Sequence, residues 1–207
     1  MDGHEARKRL WEVQRIMECT TLCTLLPDVS AIIGGVLAIA GCFLTYAITG
    51  ALDFQAALSL SQSSQTALFV IWGCVGVISI AQHLLISART IRKRDLPVIV
   101  RPGQLAILAL APSVLVAIVL SVNLWMDGHI RYIAPIWIIC YGLGVFSSGL
   151  FSLRPPRVLG VIFILIGAVG LSFFQQYGLV LIGLSFGLGH IVFGLLVVQR
   201  EKRDGER

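Results

Sequence analysis

The sequence predicts an all-α, polytopic membrane protein with six transmembrane helices arranged as three hairpins and both ends on the cytoplasmic side. Three observations carry this reading. First, the 207 residues are 57% hydrophobic and only 13% charged, with a mean hydropathy of +0.87. Soluble domains carry about 25% charged residues, and a chain this short cannot hide so much apolar surface from water. Second, six apolar runs stand at 29–49, 66–88, 104–126, 133–153, 158–174 and 178–198. Each is long enough, or nearly so, to cross a hydrocarbon core of about 30 Å. Third, the cations fall on one side of these runs. Arg7, Lys8, Arg9, Arg15, Arg89, Arg92, Lys93, Arg94, Arg101, Arg154, Arg157, Arg200, Lys202, Arg203 and Arg207 share the proposed inner side, against Arg131 alone outside. Such asymmetry sets orientation in membrane proteins, and it requires an even number of crossings.

Taken in order, residues 5–18 (EARKRLWEVQRIME) are amphipathic. Leu10, Val13 and Met17 share a face, and Arg7, Lys8, Arg9 and Arg15 flank it. The expectation is either a helix lying on the anionic inner leaflet or a charged lead-in to the first span. Met1 to Glu18 has no apolar core or cleavage site of a signal peptide, so the first span is the expected insertion signal. Pro27 punctuates, and Asp28 or Ser30 can cap the helix that follows. The outer segment 50–65 is Ser/Gln-rich in its second half, with a short interfacial helix or a plain linker expected near Asp53–Leu60. Gln175-Gln176-Tyr177 is so tight a link that the fifth and sixth spans must run antiparallel. Trp125, Tyr132, Trp137 and Tyr177 fall near outer interfaces, where aromatic anchors belong. The whole chain, 1–207, is one membrane domain: a lead-in at 1–28, a bundle at 29–198 and a basic tail at 199–207.

The net charge of +5 and pI near 9.2 do not imply nucleic acid, because the cations sit in short loops beside apolar runs. Anionic lipid headgroups at the cytoplasmic face are the expected partners, with a homo-oligomer or a cytoplasmic protein as further candidates. Of the five cysteines, Cys42, Cys74 and Cys140 lie inside apolar runs and read as small hydrophobes. Cys19 and Cys23 lack a second pair to complete a zinc site, so no metal is expected.

The returning helices share a pattern that suggests an internal repeat. Gly76, Ser79, His83 and Ser87 trace one helical stripe in the second span, and Gly183, Gly187, His190 and Gly194 trace one in the sixth. In the fourth span, Gly142 and Gly149 repeat the seven-residue spacing, with glycine where the others have histidine. Gly34/Gly41 and Gly160/Gly167 repeat it in the first and fifth spans. Small residues let membrane helices approach closely, and Gly183-Leu-Ser-Phe-Gly187 is a GxxxG. Gly76, Gly142, Gly149, Gly183, Gly187 and Gly194 are therefore expected to pack helix on helix, within one bundle rather than between copies.

Chemistry-bearing residues are few. No Asp, Glu, Lys or Arg sits in the middle of a span, which argues against an ion-coupled pump. His83 and His190 are the ionisable groups that remain. They are candidates for the two axial ligands of a b-type haem, for a proton relay or pH sensor, or for interhelical hydrogen bonding in packing. Pro112 should kink the third span and is a candidate gate. Gln82, Tyr46, Asn123 and Tyr141 are further polar candidates without a recognisable constellation. HExxH, GxSxG and Walker A motifs are absent, and no enzyme activity is expected.

The final hairpin reads VLGVIFILIGAVGLSFFQQYGLVLIGLSFGLGHIVFGLLVVQREKR. This stretch, about 158–203, resembles the short repeated unit of HdeD-type bacterial membrane proteins: an apolar helix with an internal glycine, a tight turn, and a Gly-rich helix ending in a basic patch. YGLGVFSSGLFSLRPPRVLG similarly resembles uncharacterised bacterial six-helix proteins. The resemblance implies a six-helix protein of a bacterial inner membrane associated with stress or acid tolerance, without a defined chemistry. The expected role is thus non-enzymatic, of stress-tolerance, sensory or scaffold type. A channel or transporter for a small solute and a haem electron carrier are the alternatives.

Overall fold

The computed structural model describes residues 5, 28–93, 101–151 and 154–205. Apart from Glu5, the amphipathic stretch 5–18 lies outside them, as do Cys19 and Cys23. Among the described residues every regular element is helical: α1 (Asp28–Thr49), α2 (Phe54–Leu58), α3 (Gln62–Lys93), α4 (Arg101–Met126), α5 (Ile133–Ser148), α6 (Arg154–Phe173), α7 (Gly178–Ile182) and α8 (His190–Gly205). A π-helical stretch, Gly183–Gly189, joins α7 to α8, and the three make one continuous sixth span. Six helical segments are long and apolar enough to cross a membrane: Val29–Thr49, Gln62–Ile86, Leu108–Met126, Ile130–Ser148, Pro156–Phe173 and Gln175–Gln199.

The helices overrun the apolar runs where local chemistry permits. Pro102 and Pro155 fall in the first turn of α4 and α6, where proline's missing N–H has no partner to lose. Helix α8 carries on through the basic tail to Gly205. Two outer turns need a left-handed residue, and glycine supplies it. Gly50 (φ +66°) ends α1 with its N–H on the Tyr46 carbonyl, and Gly128 (φ +73°) ends α4 ahead of a His129 N–H to Leu124 carbonyl bond of 2.8 Å.

Packing is uneven. Helix α5 lies against α4, α6 and α7, and α1 lies against α3 and the whole sixth span. Helices α3 and α4 meet at their outer ends through Phe69 and Trp125, ring centroids 5.2 Å apart. The core is made by Ile138 and Val145 of α5, Leu159 and Phe163 of α6, and Leu181, Ile182 and Phe193 of the sixth span.

Two seams bring backbones together. Between α5 and α6, a Cβ on Gly142 would stand 2.8 Å from the Gly160 carbonyl, and one on Gly160 would stand 2.7 Å from the Gly142 carbonyl. One on Gly167 would stand 2.9 Å from the Ile139 nitrogen, and one on Gly149 the same distance from the Arg157 nitrogen. Between α1 and the sixth span, a Cβ on Gly35 would stand 2.6 Å from the Gly187 carbonyl. Between helices surrounded by lipid there is no hydrophobic drive, and close van der Waals approach of this kind is what favours their association.

The outer segment after α1 folds onto the bundle instead of looping free. Asp53 caps α2 through its carboxylate and the Gln55 N–H. Ala57 and Leu58 are buried against Leu68, with Trp72 and Ile130 packed alongside. The Leu179 N–H bonds the Leu52 carbonyl at 3.1 Å, which stitches this segment to the start of α7.

Candidate functional site

The sixth span departs from α-helical register where its small residues cluster. Gly183, Ser185, Gly187 and Gly189 impose little side-chain bulk, and the π stretch runs over them. A π register displaces carbonyls from their usual partners, and two side chains bond carbonyls across it. The buried Ser185 Oγ donates to the Leu181 carbonyl at 2.7 Å, and His190 Nδ1 lies 3.0 Å from the Phe186 carbonyl.

That second contact fixes the imidazole. A carbonyl only accepts, so Nδ1 carries the proton and Nε2 of the neutral ring is left as an acceptor. The Tyr141 hydroxyl of α5 stands 2.9 Å from Nε2 and donates to it. Phe163 of α6 meets the His190 ring edge-to-face at 5.2 Å, and Phe186 stacks on it at 5.9 Å. Tyr141 packs on Phe186 at 4.9 Å. His190 is thus a buried imidazole held by three spans, with one hydrogen bond across the bundle and one along its own helix.

His83 sits elsewhere. Its Nδ1 is 3.1 Å from the Ser30 Oγ of α1, and the neighbouring Gln82 amide donates to the Ser30 carbonyl at 3.2 Å. The two histidines share none of these partners, and a macrocycle ligated by both would have to release each imidazole from its own set.

The glycines divide in the same way. Gly142, Gly149 and Gly187 sit in the seams, and Gly194 is buried. Gly183 faces Cys42 of α1 at an ordinary 3.9 Å. Gly76 is a correction to the expected stripe: it is exposed, and among the described residues a Cβ there would meet nothing within 4 Å. Pro112 also faces outward, and α4 continues through it as one helix. A gate needs a residue that lines a path, and this position does not supply one.

No family model, curated protein or solved structure matches this chain.

The residue that sequence reasoning undervalued is Tyr141. It precedes Gly142, the first glycine of the fourth span's pattern, and it reaches the histidine of the sixth span from there. Ser30, read as a helix cap, is the partner of His83 instead. Among the described residues no group of three or more His, Cys, Asp or Glu is placed to hold a metal, and Cys42, Cys74 and Cys140 are free thiols.

Proposed function

We propose that this chain is a non-enzymatic membrane protein of sensory or stress-tolerance type, crossing a bacterial inner membrane six times as three hairpins with both ends inside. The observation that supports it best is the Tyr141–His190 pair, a polar contact between spans whose imidazole is buried. A buried imidazole that joins three spans is a two-state element: gain of a proton at Nε2 removes its acceptor and forces Tyr141 to turn or part from it. Coupling such a pair to the π stretch that ends at the residue before His190 gives a local protonation event a route to helix rearrangement.

The 15-to-1 distribution of cations supports the inside orientation, and it favours anionic headgroups as the partners of the inner face. The sequence of residues 5–18 adds Arg7, Lys8, Arg9 and Arg15 to that face. The resemblance of 158–203 to HdeD-type proteins points the same way, toward acid or envelope stress. Interlocked glycine seams weigh against the channel alternative, and the separate partners of His83 and His190 weigh against a haem carrier.

The test is physiological. Loss of the protein should lower survival of its host after acid or envelope stress, wild type should restore it, and Y141F or H190F should not, although both reach the membrane. Unchanged survival without the protein would refute the stress role. Full rescue by both variants would remove the pair from it. The visible spectrum of purified protein, oxidised and dithionite-reduced, should show no Soret band; a sharp one would revive the haem reading.

A further inference from the structure

Three buried polar atoms at the outer end of the bundle have no hydrogen-bond partner in the protein: Thr45 Oγ1 of α1, Trp72 Nε1 of α3 and Gln55 Oε1 of α2. Thr45 is fully buried. Native interiors satisfy nearly all such atoms, and each exception calls for a resident group to explain it. These three lie on adjoining elements. The Trp72 ring lies 5.7 Å from the Phe54 ring, and Gln55 follows Phe54 in α2. A Cβ on Gly41 would meet the same indole at 3.6 Å, and Thr45 lies one turn outward from Gly41 on the same face of α1. The lid above them is α2, tied down by its Asp53 cap, by the Leu179-to-Leu52 backbone bond and by the Gln65 amide on the Leu58 carbonyl at 2.7 Å.

We propose that Thr45, Trp72 and Gln55 form an enclosed outer site for one neutral hydroxyl, either an ordered water or the O–H of a small uncharged solute, closed by α2. The donor set decides the chemistry. An indole N–H only donates, an amide oxygen only accepts, and a threonine hydroxyl does both. A hydroxyl oxygen accepts from Trp72, its proton goes to Gln55, and Thr45 takes the remaining position. Buried waters make about three such bonds. A cation would meet the indole proton head-on. An anion would meet the Gln55 amide oxygen, which has no proton to give it. The site goes beyond the Tyr141–His190 reading and stands or falls without it, since none of its residues contacts that pair.

The test uses full-length protein in detergent or nanodiscs, labelled with 15N-tryptophan. The Trp72 indole resonance is assigned by its loss in W72F, or, should that variant not fold, by its survival in the triple variant W11F/W125F/W137F. The expected result is a magnetisation-exchange cross-peak from the Trp72 indole proton to a long-lived water or solute hydroxyl, and a lower Tm for T45V. Titration with glycerol separates the sources: a cross-peak that glycerol leaves unchanged marks a resident water, and a saturable shift of the indole resonance marks a site that takes a solute hydroxyl. An indole proton with no cross-peak and no response to glycerol overturns the proposal. A T45V variant at or above the wild-type Tm removes Thr45 from the site, because deleting an unpartnered hydroxyl relieves a penalty rather than breaking a bond.

Discussion

The second and third spans are at least as apolar as the fourth and fifth and differ from them in what they touch. None of the residues in the apolar window of the second span is buried, and 6% are in the third, against 39%, 33% and 39% in the fourth, fifth and sixth. Helix α3 carries Gly73 and Gly76 in open space, whereas α5 and α6 carry Gly142 and Gly160 against each other's carbonyls. Hydropathy therefore identifies a span without saying whether its neighbour is lipid or protein. A glycine acquires a packing role only where a second helix brings its backbone to it.

Substitutions break that comparison open, and the largest effect should come from the α5–α6 seam. In G160L the new side chain runs into the Phe146 nitrogen and the Gly142 carbonyl, backbone atoms that cannot swing aside. The destabilisation should exceed the ~1–3 kcal/mol of ordinary overpacking, and the folded peak on size-exclusion chromatography in mild detergent should be lost. G76L, on the open face of α3, should elute as wild type. An intermediate effect is expected at the Tyr141–His190 pair. Y141F removes the donor to Nε2, and a double-mutant cycle with H190F should give a coupling of about 0.6 kcal/mol, with ~1.7 as the ceiling seen for hydrogen bonds between membrane helices. A coupling near zero would mean that the contact is not made in the membrane.

Smaller still is S30A, which removes the His83 partner on the less packed side while leaving the Ser30 carbonyl bond to Gln82 in place. Its equilibrium unfolding should shift by no more than about 0.5 kcal/mol. The smallest effect belongs to P112A. The side chain is exposed and α4 is continuous there, so stability should stay within ~0.5 kcal/mol of wild type. A larger loss would show that this proline shapes α4 against α5 after all.

Composition and charge made the helical class and the six apolar segments legible, because bilayer thickness and the need to satisfy every backbone group leave few other solutions. The site was less legible. The seven-residue spacing of Gly142/Gly149 and Gly160/Gly167 marked both faces of a seam without saying that they face each other. The same reasoning placed Gly76 in a contact it does not make, since a stripe of small residues reports what a helix would tolerate and not what is there. His83 and His190 occupy equivalent pattern positions and have unlike surroundings. One meets a serine near the start of α1, and the other sits among Tyr141, Phe163 and Phe186. That difference arises from which helices surround each span, and no local pattern encodes it. Nor did the π stretch announce itself beyond a run of small residues; of the readings offered for Asp53–Leu60, the short helix is the one found, as α2.

The claim that stability is concentrated in the glycine-seamed spans is tested most directly by amide hydrogen exchange on the full chain in mild detergent, resolved by segment. Residues 133–148 and 156–173 should exchange last, and 62–86 should exchange well before them. Protection of 62–86 equal to or greater than that of α5 and α6 would contradict the account, and would mean that α3 is held by more than its contacts with α1, α2 and the end of α4.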